Sequence, residues 1–223
     1  MEPILEVKGL SIAFQQYDAG TRQRRLPVIR DLSLTVGAGQ VVAVVGSSGS
    51  GKSLLAHGIL GILPYNAAME GEIRYDGELL TPERVETLRG REIVLVPQGV
   101  TYLDPLMKVG PQIRRGKRSP EARAKSRSVL ERYGLGAETE ELYPFELSGG
   151  MARRVLISTA VMETPRLVIA DEPTPGLDAR AAGRILGHFR EIADAGAGML
   201  LITHDLELAL TIADRVVVFY AGE

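Results

Sequence analysis

The sequence predicts an α/β fold built around a parallel sheet, and two observations support this prediction. First, residues 41–45 form an uninterrupted apolar run, as a strand buried on both faces requires, and a glycine-rich loop and a helical pattern follow it. Second, the later part of the chain alternates apolar runs at 93–96, 167–170, 199–203 and 216–220 with helical patterns at about 178–193 and 205–213. Such alternation indicates parallel strands joined by crossover helices.

The other parts of the chain predict antiparallel strands near the N-terminus and a helical segment in the middle. Residues 4–36 predict short strands at 4–7, 12–14, 28–29 and 32–36, and the basic run at 22–25 is expected in a solvated loop. Alternation over residues 72–78 includes Asp76-Gly77 and predicts an antiparallel hairpin. Residues 99–166 predict a helical segment, in which Ser119 and Pro120 start a helix that ends at Gly134. The helix after the glycine-rich loop is expected to continue to Pro64.

Composition limits the classes of function. The 223 residues carry 45% hydrophobic and 24% charged residues, which is ordinary for a globular protein. A net charge of −2 gives no overall reason to expect nucleic acid as a partner, although a local basic patch is compatible with it. Because there is no cysteine, disulfides, thiolate metal sites and cysteine nucleophiles are excluded. The N-terminus lacks the features of a signal peptide, so we expect a cytoplasmic location.

The glycine-rich loop matches the pattern that cradles nucleotide phosphates, G-x-x-x-x-G-K-[ST]. Glycines let successive backbone N–H groups turn towards an anion, and the following helix N-terminus adds partial positive charge. Lys52 is predicted to reach the β- and γ-phosphates, and the Ser53 hydroxyl to ligate Mg²⁺. The predicted phosphate-binding residues are Gly46, Ser47, Ser48, Gly49, Ser50, Gly51, Lys52 and Ser53.

Polar residues follow three of the predicted strands. Asp171 directly follows the run at 167–170. In phosphate-loop NTPases an acid at such a strand end holds Mg²⁺. The next residue, Glu172, is positioned to orient or deprotonate water. Gln98 follows the strand at 93–96 and is either a further Mg²⁺ or water ligand or simple polar surface. His204 follows the strand at 199–203 and either contacts the γ-phosphate or makes a local hydrogen bond.

A second glycine-rich helix start, Ser148-Gly149-Gly150, forms another possible anion site. The ordered series GSSGSGKS, Gln98, LSGGM, LVIADE, Asp178 and His204 resembles the ATP-binding cassette (ABC) ATPase family over essentially the whole chain. The resemblance implies one ABC ATPase domain at 1–223 with the P-loop NTPase fold. Its core and N-terminal antiparallel β-subdomain would comprise about 1–98 and 167–223, and a helical signature-motif subdomain about 99–166.

The resemblance also implies a role for each motif. Ser148, Gly149 and Gly150 would be the signature that contacts ATP bound by the opposite subunit. Glu172 would be the catalytic glutamate, with Gln98 and His204 assisting it, and Mg²⁺ would lie at Ser53, Gln98 and Asp171. Asp178 would lie at the dimer interface. Phe14 would stack on adenine, with Tyr17 as an alternative; the simpler interpretation makes Phe14 a core aromatic. ATP and Mg²⁺ are the expected cofactors.

The resemblance further implies an obligatory head-to-tail dimer on the cytoplasmic face of the membrane. The expected partners are a second ABC ATPase subunit, permease subunits that contact residues 98–106, and an extracytoplasmic substrate-binding protein; no nucleic acid is expected. Three features resemble the peptide/nickel importer branch: residues 143–146, LSGGM in place of LSGGQ, and residues 104–106. The resemblance therefore implies an ATP-hydrolysing importer subunit that powers uptake of peptides or nickel/metal complexes. Residues 198–205 also resemble nickel importers, which favours a metal or metal chelate over an oligopeptide.

Three other functions stay open from the sequence. An exporter is one, because membrane partners set the direction of transport. A soluble ABC protein that clamps a macromolecule usually has a coiled-coil insert or two cassettes, and this chain shows neither. A small-molecule kinase would have no use for the LSGG motif or His204.

Pro175-Gly176 departs from the small polar residues that are usual before Asp178, which puts the conformation of that loop in question.

Overall fold

The computed structural model describes residues 3–17, 23–47, 49–220 and 222. Its strands form two sheets, one antiparallel with four strands and one parallel with five. The antiparallel sheet contains β1 (Leu5–Tyr17), β2 (Gln23–Val36), β4 (Ala67–Tyr75) and β5 (Glu78–Leu79), in the order β2-β1-β4-β5. The parallel sheet contains β3 (Val41–Val45), β6 (Ile93–Val96), β7 (Leu167–Asp171), β8 (Gly198–Thr203) and β9 (Arg215–Val218), in the order β6-β7-β8-β3-β9. The predicted α/β class with an N-terminal antiparallel sheet is confirmed.

The antiparallel sheet differs from prediction in the length of its first strands. The four short strands expected over residues 4–36 are two long ones, β1 and β2. Register shifts between Val7 and Ala13 interrupt the alternation of apolar residues, which explains why a continuous strand appeared broken. The expected loop at 22–25 is also wrong, because Arg24 and Arg25 lie within β2 and Arg25 pairs with Glu70 at 2.6 Å. Arg22 lies outside the described residues.

The parallel sheet matches the sequence pattern closely. Every residue of β3, β7 and β8 is buried, as their continuous apolar runs predict. The last strand is shorter than expected, since β9 ends at Val218 rather than at residue 220. In the 72–78 region, the turn at Asp76-Gly77 joins β4 to β5, as predicted.

The described residues contain seven α-helices: α1 (Lys52–Ile59), α2 (Pro82–Leu88), α3 (Val109–Ile113), α4 (Pro120–Arg132), α5 (Gly149–Val161), α6 (Ala179–Asp194) and α7 (Leu206–Leu210). The predicted starts of α4 and α5 are confirmed, since Ser119 and Ser148 each accept a backbone N–H as N-cap. Helix α1 ends five residues before Pro64, and α7 stops at Leu210 instead of continuing to 213. Helix α2 was missed, although Thr81 and Pro82 form the same kind of start signal as Ser119 and Pro120.

The segment between β6 and β7 has its own small core. Leu103, Val109, Ile113 and Leu130 pack there against the buried face of α5. A buried ion pair lies within the same segment, because Arg114 donates to Glu140 at 2.5 Å. Helix α5 also packs on the parallel sheet, where Ile157 lies in one cluster with Val94 and Val168. This helix therefore connects the helical segment to the sheet. Within the described ranges, no helix is long and apolar enough to cross a membrane.

Candidate active site

The carboxyl ends of four neighbouring parallel strands carry the residues that the sequence singles out. The phosphate loop follows β3, Gln98 follows β6, Asp171 ends β7 with Glu172 next to it, and His204 follows β8. Because these strands are parallel and adjacent, their carboxyl ends meet at one edge of the sheet. This edge is where open α/β sheets bind their ligands.

The loop between β3 and α1 wraps around the ammonium group of Lys52. This side chain is 5% exposed, and its Nζ donates to the carbonyl oxygens of Gly46 at 2.8 Å and Ser47 at 2.7 Å. Gly46 cannot carry a side chain, since a Cβ would lie 2.2 Å from the Phe219 carbonyl oxygen. Gly51 has φ +101°, which favours glycine, and it ends the loop at the start of α1. Ser48 lies outside the described residues.

A cleft of about 340 Å³ opens at this edge of the sheet and brings eight of the predicted site residues together. Phe14, half-buried on β1, lies at the same cleft, whereas the Tyr17 side chain is outside what the structure describes. Val28 and Leu54 line the cleft too and were not predicted, because nothing in their local sequence marks them. The lining residues are Phe14, Val28, Gly49, Gly51, Lys52, Ser53, Leu54, Gln98, Asp171 and Glu172.

Asp171 is a buried carboxylate with unused bonding capacity. It is 3% exposed, and its Oδ1 has no hydrogen-bond partner among the described residues. Burial raises the pKa of Asp171 above its ordinary value; hydrogen bonding from Ser53 opposes this increase, and the charge of Glu172 adds to it.

The donor set at Asp171 fits Mg²⁺. This ion prefers oxygen ligands, and Asp171, the Ser53 hydroxyl and the Gln98 amide all lie on the one cleft. Among the described residues, no group of three or more His, Cys, Asp or Glu side chains is placed to hold a metal by itself. A site with few protein ligands suits Mg²⁺, which keeps water and phosphate oxygens in its coordination sphere.

Without Mg²⁺ or nucleotide, we expect Asp171→Asn to stabilise the protein at pH 7. Folding raises the pKa of Asp171, so the ionised form is penalised in the fold, and wild-type stability falls as the pH rises above the ordinary aspartate value of 3.8. The neutral amide removes this penalty, which we expect to be about 1 kcal/mol, or a rise of about 2–4 °C in Tm. Urea unfolding at pH 4 and pH 7 measures the difference.

Asp178→Asn is the matched control for this measurement. Asp178 is exposed and caps α6, and the Ala181 N–H donates to its Oδ1 at 2.8 Å. This hydrogen bond lowers the pKa of Asp178, so its contribution to stability is present at pH 7 and is lost on acidification. Asparagine keeps this hydrogen bond through its amide oxygen and loses only the charge, so the control is expected to be as stable as wild type or slightly less stable at pH 7, whereas Asp171→Asn is more stable. If Asp171→Asn is less stable than wild type at pH 7, burial of the ionised Asp171 carboxylate does not destabilise the folded protein as expected.

Glu172 is buried beside Asp171 and is fixed by contacts to β8. The Glu172 N–H donates to the Ile202 carbonyl at 2.9 Å, and its φ of +47° is left-handed, which is rare for a residue with a side chain. One carboxylate oxygen lies 2.8 Å from His204 Nδ1, and the other accepts from the Thr203 hydroxyl at 3.4 Å. Glu172 also lines the cleft, and the half-exposed His204 contacts its carboxylate from the end of β8.

The second glycine-rich motif lies apart from the lining of this cleft. Ser148 caps α5, where its hydroxyl accepts from Met151 N–H at 3.3 Å, and Ser148 and Gly149 are exposed to solvent. Gly150 is adjacent to the loop before Asp178, because a Cβ on it would lie 3.6 Å from the Gly176 carbonyl oxygen. Gly176 adopts φ +77° in this turn. The structure thus brings the second motif close to the loop that leads to Asp178, and both face solvent.

Sequence reasoning missed Arg153, a buried residue of α5. Its guanidinium donates to two backbone carbonyl groups at the edge of the cleft, those of Pro97 and Glu172. No motif or spacing marks this residue, because its two partners are 56 and 19 positions away in the sequence.

Comparisons with known proteins give a consistent result. A family model described as ABC transporter matches residues 29–175. Oligopeptide transport ATP-binding proteins OppD from Lactococcus lactis subsp. cremoris and Bacillus subtilis are 39% and 37% identical, over 100% and 99% of this chain. The chain covers 68% and 64% of these two relatives, so it spans about two thirds of their length.

Solved structures agree with the sequence comparisons. An ATP-binding subunit of an ABC transporter superposes with a TM-score of 0.79 at 29% identity, over 98% of this chain and 87% of the other. A dimeric ATP-binding cassette in a post-hydrolysis state, bound to ADP and Pi, superposes with a TM-score of 0.83 at 25% identity, over 98% and 95% of the two chains.

Proposed function

Because this chain belongs to the ABC transporter family, we propose that it is the ATP-binding and ATP-hydrolysing subunit of an importer for oligopeptides. The observation that carries this proposal is the single cleft at which Phe14, the phosphate loop, Gln98, Asp171 and Glu172 meet. Each of these elements supplies a different part of what ATP hydrolysis requires.

Nucleotide binding uses the residues around the loop. The Phe14 ring would stack on adenine, while backbone N–H groups of the loop and the Lys52 ammonium would bind the phosphates. Ser53, Gln98 and Asp171 would hold Mg²⁺ through their oxygen atoms. When bound, Mg²⁺ neutralises charge that develops on the phosphate oxygens during transfer.

Water activation would be carried out by Glu172. Its carboxylate would orient the attacking water and accept its proton as the water attacks. His204 would hold this carboxylate in position through Nδ1, at 2.8 Å in the structure, and contact the γ-phosphate from the end of β8. The two side chains are in contact in the structure, and hydrolysis would further require the nucleotide, Mg²⁺ and the remaining phosphate ligands.

The remaining phosphate ligands would come from a second cassette. Ser148, Gly149 and Gly150 do not line the cleft of their own chain, and the first two of these residues are exposed. This placement supports a head-to-tail dimer in which the signature of each chain binds the ATP held by the other chain, with Asp178 at the interface. The dimeric state of a similar cassette is consistent with this proposal.

The substrate class is the point at which the comparisons narrow the sequence hypothesis of peptides or nickel/metal complexes. The motifs favoured a metal or metal chelate, whereas the relatives described above carry oligopeptide transport names. We therefore assign peptides as the substrate class. The protein would act with permease subunits and an extracytoplasmic substrate-binding protein at the cytoplasmic face of the membrane.

The permease contact is proposed at the segment after Gln98. Large apolar side chains are exposed there, with Tyr102 at 57% and Leu106 at 88%. Exposed apolar groups so close together are typical of a protein interface. The segment also leads directly back to Gln98 in the cleft, so a partner that moves it would act on the nucleotide site.

Co-purification from solubilised membranes tests the transport assignment. With a tag on this chain, we expect wild type to recover integral membrane subunits and Leu106→Asp to recover at least tenfold less, because a charge would be buried at the contact. Tyr65→Asp is the matched control, since Tyr65 is fully exposed outside the segment, and it should recover wild-type amounts. If wild type recovers no membrane protein, the importer assignment is wrong and the soluble ABC alternative gains support.

A further inference from the structure

Arg153 occupies an unusual position between the helical segment and the cleft. It lies on α5, five residues after Ser148, and is 8% exposed. Its Nη1 donates to the Pro97 carbonyl at 3.3 Å and to the Glu172 carbonyl at 3.0 Å. A buried guanidinium that is shared by two backbone carbonyl groups joins three separate chain segments at one atom.

The two carbonyl groups belong to adjacent loops of the nucleotide site. Pro97 follows β6 and precedes Gln98, whereas Glu172 follows β7. Strands β6 and β7 pair in parallel, with Val96 opposite Ala170, so the two carbonyl groups lie side by side. Arg153 therefore contacts the backbone at two places: immediately before a proposed Mg²⁺ ligand, Gln98, and at the proposed catalytic residue, Glu172.

Of the two residues that Arg153 contacts, Glu172 depends more on its surrounding contacts for its conformation. Its left-handed φ of +47° is unfavourable for a residue with a Cβ, and such a conformation persists only where the surrounding contacts hold it. On one side, its N–H and its carboxylate are held by Ile202 and Thr203 of β8 and by His204, which follows β8. On the other side, its carbonyl is held by Arg153. The orientation of Glu172 thus depends on where α5 lies.

We propose that Arg153 is a positioning residue that transmits the position of the signature helix α5 to Gln98 and Glu172. Ser148–Gly150 form the start of that helix, so any displacement caused by a nucleotide held on the partner cassette moves Arg153 with it. The Glu172 carboxylate then takes its working orientation only when the signature is engaged. This inference rests on the proposed ATPase function and adds a residue to it.

Kinetics of the membrane complex, purified through this chain, test the inference. We expect Arg153→Met to lower kcat for ATP hydrolysis about tenfold, while KM for ATP stays within about threefold, because the variant disturbs the catalytic carboxylate and leaves the phosphate loop intact. In a Glu172→Gln background the same substitution should change the residual rate less than twofold, since the group that Arg153 positions is already disabled.

Arg190→Met is the matched control for a structural arginine. Arg190 also donates to a backbone carbonyl, that of Gly39 at 2.8 Å, and it pairs with Asp214, but these residues lie at the amino ends of β3 and β9, away from the cleft. Both variants should lower Tm, whereas only Arg153→Met should lower kcat. If Arg153→Met does not fold, Arg153→Gln replaces it with the same thresholds, because the shorter amide cannot reach both carbonyl groups.

The inference is overturned if the arginine variant keeps kcat within twofold of wild type, or if it loses the same factor in the Glu172→Gln background. Both results leave the proposed function intact, provided that wild type hydrolyses ATP and Glu172→Gln does not. If wild type has no ATPase activity, the proposed function itself fails. The two failures are therefore distinguishable in one set of assays.

Discussion

Glu172→Gln is expected to lower kcat for ATP hydrolysis at least about 100-fold and to leave ATP binding within a few-fold of wild type. The amide has almost the same shape as the carboxylate, so the contacts to Thr203 and His204 are largely kept. It cannot accept the proton of the attacking water. Because ATP is bound and not consumed, the closed dimer should accumulate.

Phosphate release, binding of a fluorescent ATP analogue and size-exclusion chromatography with ATP and Mg²⁺ measure these three properties. Glu207→Gln is the control, because Glu207 lies in the first turn of α7, is exposed and makes no contribution to the cleft. It should behave as wild type in all three assays. Wild-type turnover in Glu172→Gln would remove Glu172 from the catalytic role.

Lys52→Ala is expected to weaken ATP binding itself by about 100-fold, and turnover would fall as a consequence. The buried Lys52 ammonium is the positive charge at the centre of the loop, held by the carbonyl groups of Gly46 and Ser47. Charge-assisted hydrogen bonds to phosphate are about twice as strong as neutral ones, and alanine removes them all.

Titration with the fluorescent ATP analogue gives the dissociation constant for the lysine variant. Lys108→Ala is its control, since Lys108 is partly exposed and pairs with Glu141 outside the cleft. The two main variants should differ in kind: Glu172→Gln binds without turnover, whereas Lys52→Ala fails to bind. If Lys52→Ala retains wild-type affinity, the loop is not the phosphate site.

Features with a local cause were predictable from the sequence. The phosphate loop is one, because its function uses consecutive backbone groups and so leaves a continuous motif between β3 and α1. Helix starts at Ser119 and Ser148 are others, since a cap bonds to an N–H three residues away. The long strands β1 and β2 escaped prediction for the complementary reason, as their register shifts depend on the partner strand.

By itself, the sequence determined the class of fold, the loop from Gly46 to Ser53 and the order of the motifs that resemble the ABC ATPase family. Only the tertiary structure decided which of these residues meet. The strand order β6-β7-β8-β3-β9 brings Gln98, Glu172 and His204 to one edge, where Asp171 Oδ1 has no hydrogen-bond partner within the part of the chain that the structure describes. It also brings Arg153 to the carbonyl of Glu172. These contacts join residues far apart in the chain, so their geometry depends on strand pairing and helix packing that no local pattern encodes.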